Sequence, residues 1–279
     1  MVEQPAGFFS MFVGFVKIIK RHTPRVHGLI KRIHQRSGLP ALKRLNGRFT
    51  LVAPNLLGTY PTEPHVLKWI DELLGPGDIF LDVGAHYGWM SMVACRSVGP
   101  TGKVIAFEPS PPLVRCLQYN KKANRLHQME IVSKAVVDRG GRMLPFYVVN
   151  RGDSFLNSLV DHRLSAAEVW ARQKSTIQVP TVSLDEFCEL AKFRPHAVKI
   201  DIEGAELLAL QGSSSLLEER RATFIVAIHP SWLPQGQEAA EIFDLFRLHG
   251  YRVTASQTER YEGVDFGDYV FAPDRSAIH

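Results

Sequence analysis

Residues 79–88 read IFLDVGAHYG, and residues 104–109 read VIAFEP. Each stretch is an apolar run that reaches an acid, Asp82 in the first and Glu108 in the second, and the first continues through a glycine turn into a helix-like segment. Two parallel strands joined by a helix, with a glycine turn after one and a carboxylate after the other, are typical of a nucleotide site. The glycines let the backbone approach the ligand, and the carboxylate accepts hydrogen bonds from ribose hydroxyls.

The glycine count indicates which nucleotide the turn suits. A dinucleotide-binding turn has the pattern G-x-G-x-x-G, which holds a pyrophosphate against the start of a helix. Here the glycines are Gly84 and Gly88, and His86 takes the place of the middle one. The turn therefore disfavours NAD and favours S-adenosylmethionine (SAM), which has no pyrophosphate.

The chain has 279 residues, enough for one large α/β domain and an appendage. Its three cysteines, Cys95, Cys116 and Cys188, fall in predicted helices without metal-like spacing. We interpret them as buried free thiols of a protein in a reducing compartment, which predicts a cytoplasmic location.

The N-terminal residues 1–45 differ from the rest of the chain. Residues 1–60 hold ten lysines and arginines against the single acid Glu3, whereas the remainder holds 23 basic and 27 acidic residues. The apolar run at residues 8–16 is shorter than the roughly 20 residues that span a bilayer, and its positive charges follow it, unlike those of a secretory signal. We expect a helical segment that contacts a membrane surface through residues 6–36 or packs on the domain or a partner. Few aromatic residues accompany the charges, which disfavours a nucleic-acid partner.

Residues 46–279 are predicted to form one domain. Apolar strand-like runs alternate with helical patterns, which predicts a parallel sheet covered by helices on both faces, and the last two strands predict an antiparallel C-terminal hairpin. The predicted strands are residues 79–83, 103–107, 129–133, 197–201, 223–229, 251–255 and 268–271, and the predicted helices are residues 64–74, 89–97, 112–124, 184–191, 205–217 and 238–249. Residues 140–180 interrupt the alternation. Residues 143–149 are predicted to form an extra strand, and the segment is either part of a substrate pocket or a connection.

Two further acids and a histidine follow neighbouring predicted strands. Residues 198–206 read VKIDIEGAE, so Asp201 ends a strand and Glu203 lies in the turn that follows. His229 ends the next strand. Ligands of open α/β sheets bind beyond the carboxyl ends of the strands, so these side chains should share one crevice with Asp82 and Glu108. We interpret Asp201 and His229 as candidate proton acceptors and Glu206 as a helix-capping acid.

The motif series resembles the FkbM family of class I methyltransferases over roughly residues 60–255. The resemblance rests on FLDVGAHYG, KVIAFEPSP, Asn120 and Asn124 near a helix end, SKAVVD, VPTVSLDEF, VKIDIEGAE and a strand ending in histidine. It implies a Rossmann-like, mostly parallel seven-stranded sheet, SAM as cofactor and O-methylation of sugars, glycolipids or natural products. The cofactor-binding residues that it implies, together with the turn residues above, are Asp82, Gly84, Ala85, His86, Gly88, Glu108, Pro109, Ala135 and Asp201.

The chain departs from the family pattern at two positions. The family usually has asparagine at the place of His86, and glutamate at the place of Ala227, two residues before the strand-end histidine. The second departure leaves open a methyltransferase fold that binds without catalysing, and an NAD-dependent oxidoreductase is a further alternative. Asp201, Glu203 and His229 could hold a divalent metal ion, although their spacing in sequence is not a metal signature.

Overall fold

The computed structural model describes residues 41–45, 49–53, 63–149, 157–161, 175–261 and 264–274. The chain divides into two compact units, residues 1–43 with 52–60 and residues 44–51 with 61–279. The smaller unit lies almost wholly outside the described residues, as do the predicted membrane-contact residues 6–36. None of the described helices is both long enough and apolar enough to cross a membrane.

The described helices and strands follow the predicted alternation. The strands are β1 Ala41–Leu45, β2 Phe49–Ala53, β3 Ile79–Val83, β4 Lys103–Phe107, β5 Met129–Val132, β6 Ala135–Val136, β7 Met143–Val148, β8 Ser175–Val182, β9 Ala197–Ile200, β10 Thr223–Ile228, β11 Tyr251–Tyr261 and β12 Val264–Pro273. The α-helices are α1 Pro64–Leu73, α2 Trp89–Val98, α3 Pro111–Ala123, α4 Leu184–Ala191, α5 Glu206–Gln211, α6 Ser214–Glu218 and α7 Ala239–Leu248. Strand β1 shows that the predicted N-terminal helical segment does not extend to residue 45.

A seven-stranded sheet forms the centre of the larger unit, in the order β5–β4–β3–β9–β10–β12–β11. The first five strands are parallel, and β12 is antiparallel to both of its neighbours. The predicted mostly parallel sheet with a C-terminal antiparallel hairpin is therefore confirmed. Connections run outward in opposite directions from β3 and β9, and right-handed crossovers then place helices on both faces. The same reversal opens a crevice between the carboxyl ends of β3 and β9.

A smaller sheet, β6–β8–β7, fills part of the predicted interruption. The extra strand that the sequence predicts at residues 143–149 is present as β7, whereas β8 was not predicted. Residues 157–161 bridge to β7, and the Ser158 hydroxyl donates hydrogen bonds to the carbonyl oxygens of Ile202 and Glu203, at 3.3 and 2.8 Å. The described part of the insertion is thus tied to the loop after β9.

The predicted helix at residues 205–217 is instead two helices that separate at Gly212. A side chain at Gly212 would lie 2.2 Å from the Val137 carbonyl oxygen, so the backbone packs too closely there for any other residue. The Asp185 carboxylate accepts hydrogen bonds from the backbone N–H groups of Ser215 and Leu216, at 2.8 and 3.1 Å, and so caps α6. Both contacts that divide the predicted helix therefore come from residues distant in sequence.

Candidate active site

The turn after β3 is shaped by left-handed backbone positions. Gly84, His86 and Gly88 have φ angles of +82°, +53° and +83°. A Cβ atom at Gly84 would lie 1.9 Å from the Asp201 carbonyl oxygen, and one at Gly88 would lie 2.4 Å from a methyl carbon of Leu117. The two glycines are therefore required by close contacts within the protein as well as by their φ angles. Asparagine and histidine both tolerate the left-handed region, so the backbone accommodates His86.

Backbone hydrogen bonds hold this turn against the end of β4. The N–H groups of Gly84 and Ala85 both donate to the Phe107 carbonyl, at 3.1 and 3.0 Å. The His86 N–H donates to Oε2 of Glu108 and the Ser110 N–H donates to Oε1, each at 2.9 Å. Glu108 therefore joins the two loops that border the crevice.

Glu108 has the properties that a ribose-binding acid needs. The residue is 4% exposed, and burial raises the pKa of its carboxyl to about 7 although two backbone N–H groups favour the anion. Each carboxylate oxygen has two lone pairs, so each can accept a hydrogen bond from a hydroxyl group in addition to the one from the backbone. The adjacent Pro109 is partly buried. The role of Glu108 as the ribose-binding acid stays a prediction.

Asp82 lies at the floor of the crevice and is wholly buried. Its Oδ2 accepts a hydrogen bond from the Ser91 hydroxyl, and its Oδ1 lies 3.8 Å from Nζ of Lys199. Burial raises the pKa of Asp82, while the charge of Lys199 opposes that rise. The structure thus shows Asp82 bound by the protein itself, and its cofactor contact stays a prediction.

Ala135 lies in β6, and the family resemblance places it on the adenine side of the cofactor. Its buried side chain packs in a small apolar cluster with Phe146, Val148 and Val179. The position is therefore part of a packed strand of the smaller sheet, and its adenine-side role stays a prediction.

Lys199 connects the cofactor turn to the second group of candidate residues. It is 4% exposed in the middle of the sheet, with Nζ 3.1 Å from Oδ2 of Asp201 and 3.8 Å from Oδ1 of Asp82. Burial disfavours its charge, but the carboxylates of Asp201, Asp82 and Glu63 outweigh burial and raise the pKa of Lys199. Sequence reasoning assigned it no role, although a lysine inside the apolar run VKI is a recognisable signal.

The structure brings Asp201, Glu203 and His229 together, as the shared strand ends predicted. Nε2 of His229 lies 3.5 Å from Oε2 of Glu203 and 4.0 Å from Oδ1 of Asp201. Nδ1 of His229 lies 3.1 Å from Oε1 of Glu206, and the imidazole ring stacks on Trp232 with 4.9 Å between ring centres. Contacts on both nitrogens and one ring face fix the orientation of the imidazole.

The charges in this group determine its protonation. Burial would lower the pKa of the His229 imidazolium, but the hydrogen bond to Glu206 and the charges of Glu203 and Asp201 raise it to about 10. Burial likewise opposes ionisation of Asp201, but Lys199 and His229 hold the pKa of Asp201 below its usual value. Burial raises the pKa of Glu203 well above its usual value. At neutral pH the group therefore contains an imidazolium and an ionised Asp201.

Glu206 has a larger role than the predicted helix cap. It is wholly buried at the first residue of α5, where its Oε1 accepts a hydrogen bond from the Gly204 N–H at 2.9 Å. The same oxygen contacts Nδ1 of His229. Glu206 therefore both caps the turn and orients the histidine.

The sequence model of the family described as "Methyltransferase FkbM domain" matches residues 82–253, which is more than half of the chain and contains the cofactor turn, Glu108 and the Asp201–His229 group. The chain belongs to the FkbM methyltransferase family. The match supports SAM as the methyl donor and removes the alternative of an NAD-dependent oxidoreductase.

Individual relatives of this FkbM methyltransferase are distant. The AMB antimetabolite synthetase AmbE of Pseudomonas aeruginosa is 26% identical over 231 residues, 69% of this chain and 10% of that protein. The ribosomal protein L11 methyltransferase of Cupriavidus necator is 32% identical over 85 residues, 29% of this chain and 28% of that protein. The crystal structure of methyltransferase FkbM from Methylobacillus flagellatus has a TM-score of 0.45 at 14% identity, over 73% of this chain and 50% of that chain. This chain thus spans only a minor part of the length of both curated relatives.

Three residues that sequence reasoning did not assign also lie at this site of the FkbM domain. Asp268 on β12 is the direct register partner of Ala227 on β10, and its Oδ2 lies 2.6 Å from Nε2 of His65. Glu63 precedes α1, and burial together with the charge of Asp201 raises the pKa of Glu63 to about 7. The pairing of β10 with β12 and the approach of α1 are not visible in the local sequence.

Proposed function

We propose that this FkbM methyltransferase transfers the methyl group of SAM to a hydroxyl group of a small molecule, either a sugar, a glycolipid or another natural product. The observation that carries the proposal is the Lys199 bridge, because one buried ammonium contacts Asp82 beneath the cofactor turn and Asp201 in the second group. An acceptor that reaches Asp201 is therefore next to the methyl donor. The likeness to an antimetabolite synthetase over 69% of the chain favours a small-molecule acceptor over a protein.

The positions of the carboxylates indicate which residues bind the cofactor and which contact the acceptor. When bound, SAM would supply a methyl group on a positively charged sulfur, and the acceptor oxygen would bond to the methyl carbon as the carbon–sulfur bond breaks and a neutral thioether leaves. Glu108 would accept hydrogen bonds from the ribose hydroxyls, and the turn at Gly84 would help to hold the cofactor. Holding the two reactants in one orientation is the main catalytic contribution that such a reaction needs.

The proton of the acceptor hydroxyl passes to Asp201. Asp201 is ionised and has the most exposed side chain of its group, at 24%. His229 carries a proton at neutral pH because its pKa is raised to about 10, so its charge stabilises ionised Asp201 while its Nδ1 donates a hydrogen bond to Glu206. A hydroxyl proton becomes strongly acidic as its oxygen gains the methyl group, so a weakly basic carboxylate can take it.

Product analysis tests the reaction class. The purified protein is incubated with SAM carrying a labelled methyl group and with extracted metabolites and glycolipids, and mass spectrometry locates the label. We expect a methyl ether, and we expect Asp201→Asn to lower turnover while SAM still raises the melting temperature. The control is Asp244→Asn, which removes an exposed acid that pairs with Arg247 on the outer surface of α7.

The same experiment separates the alternatives. Label on nitrogen, carbon or a protein side chain would refute the hydroxyl acceptor. A melting shift without any labelled product would indicate a methyltransferase fold that binds SAM without catalysis. Full turnover by Asp201→Asn would refute its role as the proton acceptor.

We also propose that residues 6–36 bring the chain to an anionic membrane surface, which suits a lipid-linked acceptor. Support comes from the basic residues Lys17, Lys20 and Arg21 that follow the apolar run. The full chain should pellet with anionic vesicles, and the triple glutamine variant of these residues should pellet less. Equal pelleting of the two proteins would refute the contact.

A further inference from the structure

Asp201, Glu203 and His229 form a triad of metal-ligand type at the carboxyl ends of β9 and β10. One ligand atom from each residue lies within 4.8 Å of the other two. We propose that this triad binds a divalent cation of the Mn²⁺ or Mg²⁺ type. That the cation also holds the acceptor hydroxyl rests on the proposed function, whereas the binding of the cation does not.

The distances in the triad fit a small cation after minor adjustment. Nε2 of His229 lies 3.5 Å from Oε2 of Glu203 and 4.0 Å from Oδ1 of Asp201. A cation with ligand bonds of about 2.1 Å separates adjacent ligand atoms by about 3.0 Å at right angles and about 3.4 Å at the tetrahedral angle. The two distances from Nε2 exceed these separations by at most about 1 Å, so modest side-chain shifts would bring His229 and each carboxylate to coordination distance. Two carboxylates and one imidazole are a ligand set that divalent cations accept.

A supporting residue already orients the imidazole for this purpose. Glu206 is wholly buried and holds Nδ1 of His229 at 3.1 Å, which leaves Nε2 directed at the two carboxylates of the triad. A carboxylate on the far nitrogen of a metal-binding histidine is the common arrangement, because it fixes the tautomer and the ring orientation. The indole of Trp232 stacks on one face of the imidazole ring and further restricts the rotation of that ring.

The hydrogen bonding of the buried carboxylates also favours a bound cation. Oε2 of Glu203 and Oε2 of Glu206 are buried, and neither accepts a hydrogen bond from the residues that the structure describes, although Oε2 of Glu203 lies 3.5 Å from Nε2 of His229. Glu206 is 0% exposed, so water does not reach its side chain from bulk solvent. A buried carboxylate oxygen without a partner is costly. A cation beside Glu203 would remove most of that cost.

The surrounding charges favour a cation over an anion. Carboxylates of Glu63 and Asp268 join those of the triad and Glu206, while Lys199 is already engaged between Asp82 and Asp201. Lys199 contacts Oδ2 of Asp201, and the triad uses Oδ1, so the ammonium does not occupy the ligand atom. Coordination through Nε2 requires the neutral imidazole, so the cation would displace the proton of His229 and itself offset the charge of the surrounding carboxylates.

The experiment measures the cation directly. The full chain is stripped of metal, Mn²⁺ is titrated in, and the electron paramagnetic resonance signal of free Mn²⁺ reports binding. We expect one site per chain that Mg²⁺ can compete for. Glu203→Gln and His229→Gln should each weaken Mn²⁺ binding about tenfold or more. The control is Asp268→Asn, a carboxylate of the same crevice outside the triad, which should change the affinity less than threefold.

SAM binding serves as a separate readout of folding and of the proposed function. Glu203→Gln and His229→Gln should each still show the melting shift with SAM, since neither residue is among the predicted cofactor-binding residues. A wild-type chain that binds SAM but no Mn²⁺ refutes the metal site and leaves the methyltransferase proposal standing. Mn²⁺ affinity that survives both triad substitutions places the cation elsewhere and also refutes it. A chain that binds Mn²⁺ at the triad but not SAM refutes the proposed function instead.

Discussion

Glu108 gives the chain a pH-dependent stability that can be calculated. Burial raises the pKa of this carboxyl from the usual 4.5 to about 7 in the folded state. Between these two values the folded chain holds more protons than the unfolded chain, so the free energy of unfolding falls as the pH rises. For one group with these two pKa values, the loss between pH 5 and pH 8 is about 2.5 kcal/mol. The figure needs little correction for solvent because Glu108 is 4% exposed.

The substitution Glu108→Gln isolates this contribution. Urea unfolding of both proteins is followed from pH 5 to pH 8, and the difference between wild type and variant is plotted against pH. Relative to the variant, the free energy of unfolding of the wild type should fall by about 2.5 kcal/mol from pH 5 to pH 8. The hydrogen bonds that the substitution changes add only an offset that does not depend on pH. Glu130→Gln, which removes a half-exposed surface carboxylate beside Lys103, should keep the wild-type pH dependence. A difference curve that is flat or rises with pH would refute the assignment of a buried, destabilised anion.

Four further substitutions test the contacts of the site. Gly84→Ala should lower the free energy of unfolding by about 2 kcal/mol or more in guanidinium titrations, because the new methyl group would clash with the Asp201 carbonyl at a left-handed φ. Lys199→Met should cost about 3–5 kcal/mol in the same assay, since it leaves the buried Asp82 and the partly buried Asp201 without their cation. Ser158→Ala removes the hydroxyl that donates to the loop after β9, so acceptor KM should rise while the SAM-induced melting shift is kept. Asp268→Asn should lower kcat with little change in SAM affinity, and unchanged kcat would exclude this carboxylate from the acceptor site.

The strands of the central sheet could be predicted from local sequence because they are buried on both faces. Such strands appear as short, continuous apolar runs between turn residues. The predicted bounds of β3 and β4 are those observed. The sequence pattern of Ser183 followed by Glu186 three residues later is typical of a capping box, and the two residues form one at the start of α4. The proximity of Asp201 and His229 was also predictable, because neighbouring parallel strands end at the same edge of the sheet.

The unpredicted features arise from contacts between distant parts of the chain. The break at Gly212 follows from the approach of the Val137 carbonyl, which no local helical pattern reports. The second role of Glu206 depends on the position of His229, and capping alone accounts for an acid at that place in the sequence. Glu63 reaches the site only because α1 begins there. Local patterns define elements, but the neighbours of a buried polar group are set by the packing of those elements.

Ala227 illustrates how the sheet can supply a missing side chain. In the family pattern a glutamate at this place would put a carboxylate two residues before the strand-end histidine. Directly opposed residues of antiparallel strands have Cβ atoms about 5 Å apart and project from the same face. Asp268 is the residue opposite Ala227, so β12 places a carboxylate where β10 lacks one, and His65 fixes it through a 2.6 Å contact. A carboxyl group thus lies on the strand directly beside Ala227, so the alanine does not by itself argue for an inactive protein.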